Sequence, residues 1–272
     1  MSTIARKTRS AILADEPCRG SRQPDMIIRK TLTTAPESAA ATMPQHIAII
    51  MDGNRRWARE RGFPLVEGYR RGIISLREVT RACSDLGVPY LTVYGFSTEN
   101  WKRDDTELSV LFELCCAFAR NELAGLIREN VRVQIIGHPE QLPAAAQRAL
   151  ADLVEKTRAN TGTVLNLAVN YSARAELADA ARALAADVAS GAVVPGAVDE
   201  DTIGRYLHTR GLPDPDLLIR PGGEARLSNF LLYQMAYTEL WMTDVYWPDF
   251  TRETLALAIA DFARRARRYG GA

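Results

Sequence analysis

The sequence predicts a single α/β domain built on a central, mostly parallel sheet flanked by helices. Three observations carry that expectation. Short β-branched runs alternate with stretches of helical periodicity from His46 onward. The runs are almost continuously apolar, as strands buried on both faces must be. Polar residues gather just past the carboxyl end of each run, where open α/β sheets bind ligands.

Taken in order, residues 1–44 are rich in Ser, Thr, Ala and Arg and close at Pro44, which predicts a flexible extension before a domain at 45–272. Asp15, Glu16, Asp25 and Glu37 argue against an acid-poor transit peptide. The expected strands are 47–51 (IAIIM), 90–96 (YLTVYGF), 131–136 (VRVQII), 164–169 (VLNLAV) and 216–220 (DLLIR), with a weaker one near Val245. Between them, Ile73, Leu76, Val79 and Cys83 recur at helical spacing, as do the apolar positions of 107–127, 144–157, 174–189 and 252–268.

Composition excludes several function classes. The net charge of +1 argues against a protein whose main partner is nucleic acid. Cys18, Cys83, Cys115 and Cys116 show no CxxC spacing, which predicts reduced thiols in a cytoplasmic protein. No run reaches the length of a membrane span. The GxxxxGK[ST] and GxGxxG nucleotide signatures are absent. The Asp104–Asp105 pair in RDDTEL reads as a helix cap and first-turn acid.

The chemistry concentrates at HIAIIMDGNRRWARERG, His46 to Gly62. A strand that stops at Asp52 and turns through Gly53 into a helix presents backbone N–H groups and a positive dipole end, which suit phosphate. Arg55, Arg56 and Arg59 add charge-assisted donors. An aspartate among them repels phosphate unless a divalent cation lies between, so Asp52 reads as a magnesium ligand. Asp52 as a plain helix cap fits this stretch equally well. A second cluster, IRPGGEARLSN at 219–229, favours the functional reading. Arg220, two glycines, Arg226 and Ser228 again follow a strand and suit a second anion.

The motifs HIAIIMDGNRRWA, YGFSTENW, VRVQIIG, LNLAVNY, DPDLLIRPGGEARLSNFLLYQMAYTELWMTD and the terminal RRYGG together resemble the cis-prenyltransferases, the family of undecaprenyl diphosphate synthase, over residues 44–271. The resemblance implies a sheet enclosing a hydrophobic tunnel, a homodimer, and Mg2+-dependent condensation of isopentenyl diphosphate with an allylic diphosphate. It implies Asp52 and Glu239 as metal ligands, and Gly53, Asn54, Arg55, Arg56 and Tyr69 around the allylic diphosphate. Arg220, Arg226 and Ser228 then hold the second diphosphate. Asn100 and Trp101, with Ser97 and Glu99, form a mobile loop by the reacting carbons, Gly95 lines the tunnel, and Arg268 with Gly270 reaches the dimer partner. An apolar product implies loose contact with membrane surfaces.

Several positions depart from the family pattern. Arg55 stands for a glycine, Leu65 for an arginine, Tyr69 for a histidine, Ser172 and Ala173 for a double glycine, Pro221 for a threonine, and His138 for an acid. Arg55, Arg70 or Arg71 is the expected compensation for the missing groups. Neither His138 nor His208 reads as a catalytic base. Leu65 and Tyr69 also resemble the irregular, head-to-middle lavandulyl-type synthases, which couple dimethylallyl units, and GNRRWAR with GYR resembles short-chain cis-farnesyl-type members. Asn54 and STENW resemble the regular elongating enzymes. A non-catalytic partner subunit fits poorly with Asp52, Arg226, Ser228 and Glu239 all present, and a phosphate-binding regulator leaves the long apolar helices unexplained.

Overall fold

The computed structural model of the chain describes residues 43–265. Its six strands are β1 (His46–Ile50), β2 (Tyr90–Ser97), β3 (Arg132–Gly137), β4 (Val164–Tyr171), β5 (Leu217–Arg220) and β6 (Glu239–Met242). All neighbours run parallel, in the spatial order β3-β4-β2-β1-β5-β6. The helices are α1 (Asn54–Glu60), α2 (Leu65–Leu86), α3 (Asp105–Arg128), α4 (Ala144–Thr157), α5 (Ala173–Ala189), α6 (Glu200–Tyr206) and α7 (Arg252–Ala263).

Strand periodicity sorts the core into two layers. Ile47 and Ile49 of β1, Leu91 and Val93 of β2, and Leu217 and Ile219 of β5 pack with Leu76 and Val79 of α2, Phe118 of α3, Leu150 of α4 and Phe262 of α7. The alternate residues Ala48, Ile50, Ala168 and Leu218 pack on the other face with Tyr171, Phe230, Leu231 and Met235. Every residue of β1 is buried, which explains its unbroken apolar reading.

From β1 the chain winds outward through β2 toward β3 and β4, then crosses to β5 and β6 on the opposite side of β1. The order therefore reverses between β1 and β5, and the carboxyl ends of those two strands frame the crevice where this architecture binds ligands. Asp52 lies just past β1, and Arg220 ends β5.

The sixth strand is not at Val245 but at Glu239–Met242, where it pairs with β5 from Leu217↔Glu239 to Arg220↔Met242. Val245 lies in the following loop, and its carbonyl accepts the Gly222 N–H at 2.8 Å. As an edge strand, β6 is half exposed and lacks the apolar run that marks the others. The expected extension at 1–44 lies almost wholly outside the described residues, as does the helical periodicity beyond Arg265.

Candidate active site

The turn after β1 requires glycine. Gly53 has φ +103, and a Cβ there would sit 2.6 Å from Cδ1 of Tyr246. Gly53 leads into α1 with no side chain capping that helix, so Asp52 is not its cap. Instead, Oδ1 of Asp52 accepts the Gly53 N–H at 2.6 Å. The Asp52 carbonyl accepts the N–H of Trp247, whose buried indole donates to the Gly72 carbonyl at 2.8 Å. The acid is thus fixed by its backbone to the packed layer.

Arg220 meets it from β5. Its side chain is 3% exposed, and it donates to Oδ2 of Asp52 at 2.8 Å, to Oγ of Ser228 at 2.8 Å and to the Arg226 carbonyl. One buried guanidinium therefore ties both expected cradles together. Arg56 also approaches Asp52, at 3.3 Å, and reaches Glu224 at 3.4 Å. Two buried polar atoms here have no partner, Oδ1 of Asn54 and Nε of Arg220. Such orphans are few in native proteins, and four others lie elsewhere among the described residues.

The loop from 221 to 229 does not offer the backbone anion nest that its glycines suggest. The N–H groups of Gly222 and Gly223 are committed to the carbonyls of Val245 and Thr243, and Pro221 has none. The loop also carries the side chains of Ser228 and of Arg226, which pairs with Glu224. Ser228 (φ 51) and Asn229 (φ 61) both adopt left-handed backbone, a strained run of the kind that clusters at ligand sites.

Beneath this polar rim, a cavity of about 790 Å³ runs between the sheet and helices α2, α3 and α4. Gly72, Ile73, Leu76, Phe96, Leu111, Cys115, Phe118, Leu150 and Leu167 line it, while Asp52, Asn54, Arg103, Arg220, Arg226 and Ser228 ring its mouth. A second, polar hollow of about 550 Å³ shares Met51, Asp52, Asn54, Tyr69 and Arg103 and adds Gly53, Arg55, Arg56 and Arg59. Asp52 stands on the boundary of the two. Gly95 lies at a bulge of β2 against β4 and lines the cavity, and a Cβ on it would already touch the Ala168 carbonyl at 3.4 Å.

The segment after β2 forms a short 3₁₀ turn, Thr98–Lys102, closed by a capping box between Ser97 and Asn100. The Asn100 side chain is thereby turned to the Ser97 N–H, at 2.9 Å. Trp101 donates to Oδ1 of Asn170 at 2.7 Å and packs edge-on against Phe96. Asn229 donates to Glu99 at 2.8 Å and to Ser172 at 2.7 Å, joining this turn to the second loop. Burial opposes ionisation of Glu99, but hydrogen bonds from Asn229 and the turn's own groups hold its carboxyl below the usual range.

The chain matches the family model described as "Putative undecaprenyl diphosphate synthase" over residues 50–270. It is 49% identical over 248 residues to an isoprenyl transferase of Heliobacterium mobile, covering 89% of this chain and 95% of that protein. It is also 52% identical over 229 residues to an isoprenyl transferase of Geobacillus kaustophilus, covering 84% and 89%. The chain belongs to the undecaprenyl diphosphate synthase family of prenyltransferases. Among solved structures, lavandulyl diphosphate synthase from Lavandula x intermedia, in complex with dimethylallyl diphosphate, superposes with a TM-score of 0.83 at 36% identity, covering 84% of this chain and 99% of that one. A probable undecaprenyl diphosphate synthase from Campylobacter jejuni gives 0.70 at 29%, covering 85% and 100%.

In this prenyltransferase, Tyr69 belongs to a cluster that crosses from α2 to α3. Its hydroxyl donates to Glu107 at 2.6 Å and accepts from Arg103 at 2.6 Å, while Arg55 stands 3.8 Å from Glu107. Burial, then the Glu107 carboxylate, pushes the Tyr69 phenol above its ordinary range. Arg103, which borders both cavities, is the cation that sequence reasoning passed over. Arg70 instead pairs with Glu67 at the surface, and neither it nor Arg71 lines the cavities.

Glu239 is not brought to Asp52 within one protomer. It lies at the start of β6 opposite Leu217, three residues and so about 10 Å below the level of Arg220. Its carboxylate is bound by Arg265 at 2.9 Å. Arg268 and Gly270 lie outside the described residues.

Proposed function

We propose that this prenyltransferase condenses isopentenyl diphosphate with an allylic diphosphate by regular chain elongation, with Mg2+ held at Asp52. The observation that carries this reading is the placement of Asp52 on the boundary between a polar, arginine-lined hollow and the mouth of a long apolar cavity.

The donors around Asp52 fit a magnesium diphosphate. Mg2+ is commonly held by one or two carboxylates with substrate phosphates and water, rather than by a cage of protein ligands. The Asp52 side chain is 29% exposed; Oδ1 faces the Gly53 N–H and the Arg56 guanidinium, while Oδ2 has Arg220 alone and keeps acceptor capacity for an ion. When bound, the ion would neutralise charge on the departing diphosphate. Arg55, Arg56 and Arg59 bind and orient that group from one side. Arg226 and Ser228 hold the second diphosphate from the other, while Arg220 keeps the two sides in register.

The allylic C–O bond breaks, the double bond of isopentenyl diphosphate attacks the allylic carbon, and a proton leaves. Alignment of the two chains supplies much of the rate, and the reaction requires no covalent enzyme intermediate. The apolar walls exclude water from the allylic cation and receive the growing chain. Burial there contributes about 0.8 kcal/mol per methylene.

The volume of the cavity, whose apolar lining includes Leu111, Phe118, Leu142 and Leu150, favours a linear product over a short branched one. Exposed Tyr237, Leu240 and Val245, on and beside β6, support a homodimer. Glu239 and the Arg268–Gly270 arm would then act at that junction. No helix among the described residues is long and apolar enough to cross a membrane. Cys83, Cys115 and Cys116 are free thiols, which supports a cytoplasmic enzyme meeting membranes through its product.

Incubation of the purified chain with Mg2+, labelled isopentenyl diphosphate and each allylic diphosphate in turn tests this. Linear alcohols with new cis double bonds are expected after dephosphorylation. Branched products from dimethylallyl diphosphate would establish head-to-middle coupling instead.

Two substitutions separate the parts. Arg226→Ala should raise the KM for isopentenyl diphosphate about 10- to 100-fold, the equivalent of a charged hydrogen bond of ~1.5–3 kcal/mol, and leave that for the allylic partner nearly unchanged. The reverse order in steady-state kinetics would mean the cradles are swapped. Gly95→Leu should shorten the longest product, because its side chain would enter the cavity beside Ala168. An unchanged product ladder by mass spectrometry would move the chain's path elsewhere.

A further inference from the structure

We propose that His138, Asp179 and His208 form a zinc-type metal site, separate from the diphosphate rim. Two of the chain's three histidines converge here from distant elements. His138 follows β3, Asp179 lies in the second turn of α5, and His208 follows α6. One ligand atom from each residue lies within 4.8 Å of the other two.

The donor spacing suits a tetrahedral ion. Zn–N and Zn–O bonds of about 2.0–2.1 Å place neighbouring ligand atoms roughly 3.3 Å apart. Oδ2 of Asp179 stands 2.8 Å from Nε2 of His138 and 3.7 Å from Nε2 of His208, so small side-chain rotations reach that spacing. Despite the short approach to His138, Oδ2 of Asp179 is buried and makes no aligned hydrogen bond, and Nδ1 of His208 is likewise buried without a partner. Each of the three side chains keeps about a fifth of its surface exposed, leaving a path for an ion and a water in the fourth position.

An outer partner is already in place. Nδ1 of His138 lies 2.9 Å from Oε1 of Glu140, the carboxylate–histidine pairing that fixes the ring so that Nε2 faces a metal. The Tyr171 and His208 rings lie 6.5 Å apart, and the His208 backbone N–H donates to Glu176 at 2.8 Å, so that ligand too is held. Arg182 also contacts Asp179, but its side chain is 75% exposed and can swing into solvent. The histidine that departs from the family pattern after IIG thus finds a role as a ligand.

The site would brace the reaction side of the molecule. The carbonyl of His138 accepts from Nδ2 of Asn170, whose Oδ1 accepts the Trp101 indole N–H. An ion at His138 therefore stiffens the wall on which the 97–102 turn leans.

The test uses the full chain, stripped with chelator and titrated with Zn2+ against a chromophoric competitor, and separately with Co2+ by visible absorption. One Zn2+ per chain is expected to bind in wild type and equally in Asp52→Asn, with Co2+ giving the intense d–d bands of a four-coordinate site. His208→Ala and Asp179→Asn should weaken Zn2+ by about 100-fold or more, beyond the roughly 10- to 100-fold expected for the outer-partner change Glu140→Gln. Zn2+ should raise the melting temperature of wild type and not of His138→Gln, a milder change that keeps the test valid should His208→Ala fail to fold. Absence of a Zn2+ site surviving Asp52→Asn, or unchanged affinity in the ligand variants, overturns the proposal and leaves the cluster as a charge network.

Discussion

Asp52→Asn is expected to lower kcat/KM by on the order of 10³-fold while the fold persists. The substitution keeps the side-chain shape and one acceptor oxygen, enough for either the Arg220 or the Gly53 donor, but removes the charge that a metal diphosphate needs, and loss of one preorganised electrostatic group commonly costs 10²–10³ in rate. Asp52→Ala is a less clean test, because it leaves the 3% exposed Arg220 guanidinium short of an acceptor, at about 1–3 kcal/mol. Steady-state turnover and a denaturation curve on both variants check this. Near-normal turnover in Asp52→Asn would remove the metal assignment.

Arg220→Ala should abolish turnover and destabilise the chain by about 1–3 kcal/mol, the range for stranding hydrogen-bonding partners, because the Asp52 left behind is 29% exposed and keeps Gly53 and Arg56. One side chain closes three contacts, to Asp52, Ser228 and the Arg226 carbonyl. Without them the left-handed backbone at Ser228 loses its side-chain tie, while Asn229 stays bound to Glu99, Ser172 and the Arg174 N–H. Arg220→Lys should recover part of the stability and little of the activity, since a point charge cannot span three acceptors as a planar fork does. A denaturant midpoint within error of wild type for Arg220→Ala would show that the pair contributes nothing to the fold.

The fold was legible where burial is symmetric. Strands β1, β4 and β5 carry apolar runs because nearly all their residues are buried, and even the Asp104 cap appears as read, with Oδ1 accepting the Glu107 N–H at 2.9 Å. Strand β6 was misplaced because an edge strand of four residues, ELWM, has no such run and takes its register from β5 alone.

The site was legible as a set of polar residues beyond strand ends, but not in its pairings. Arg220 reads as a substrate ligand in sequence, yet it is buried against an aspartate 168 positions away, a contact set by the β1–β5 register. The Gly222–Gly223 pair looks like an anion nest until the loop after β6 takes both N–H groups. Arg103 stands beside a helix cap in sequence and beside Tyr69 only in space. Ser172, which replaces a glycine, caps α5 by accepting the Ala175 N–H, a local role, but its bond from Asn229 spans 57 residues. Long-range hydrogen bonds of this kind leave no local periodicity to read.

The most direct measurement is a crystal structure of the full chain with Mg2+, isopentenyl diphosphate and an unreactive thio-analogue of an allylic diphosphate. One diphosphate is expected beside Gly53, Arg55 and Arg56, the other at Arg226 and Ser228, with Asp52 on the ion between protein and substrate. The prenyl tail should run under Gly95 toward Phe118 and Leu150. A tail lying on the opposite face of the sheet, or a metal diphosphate held away from Asp52, would contradict this arrangement.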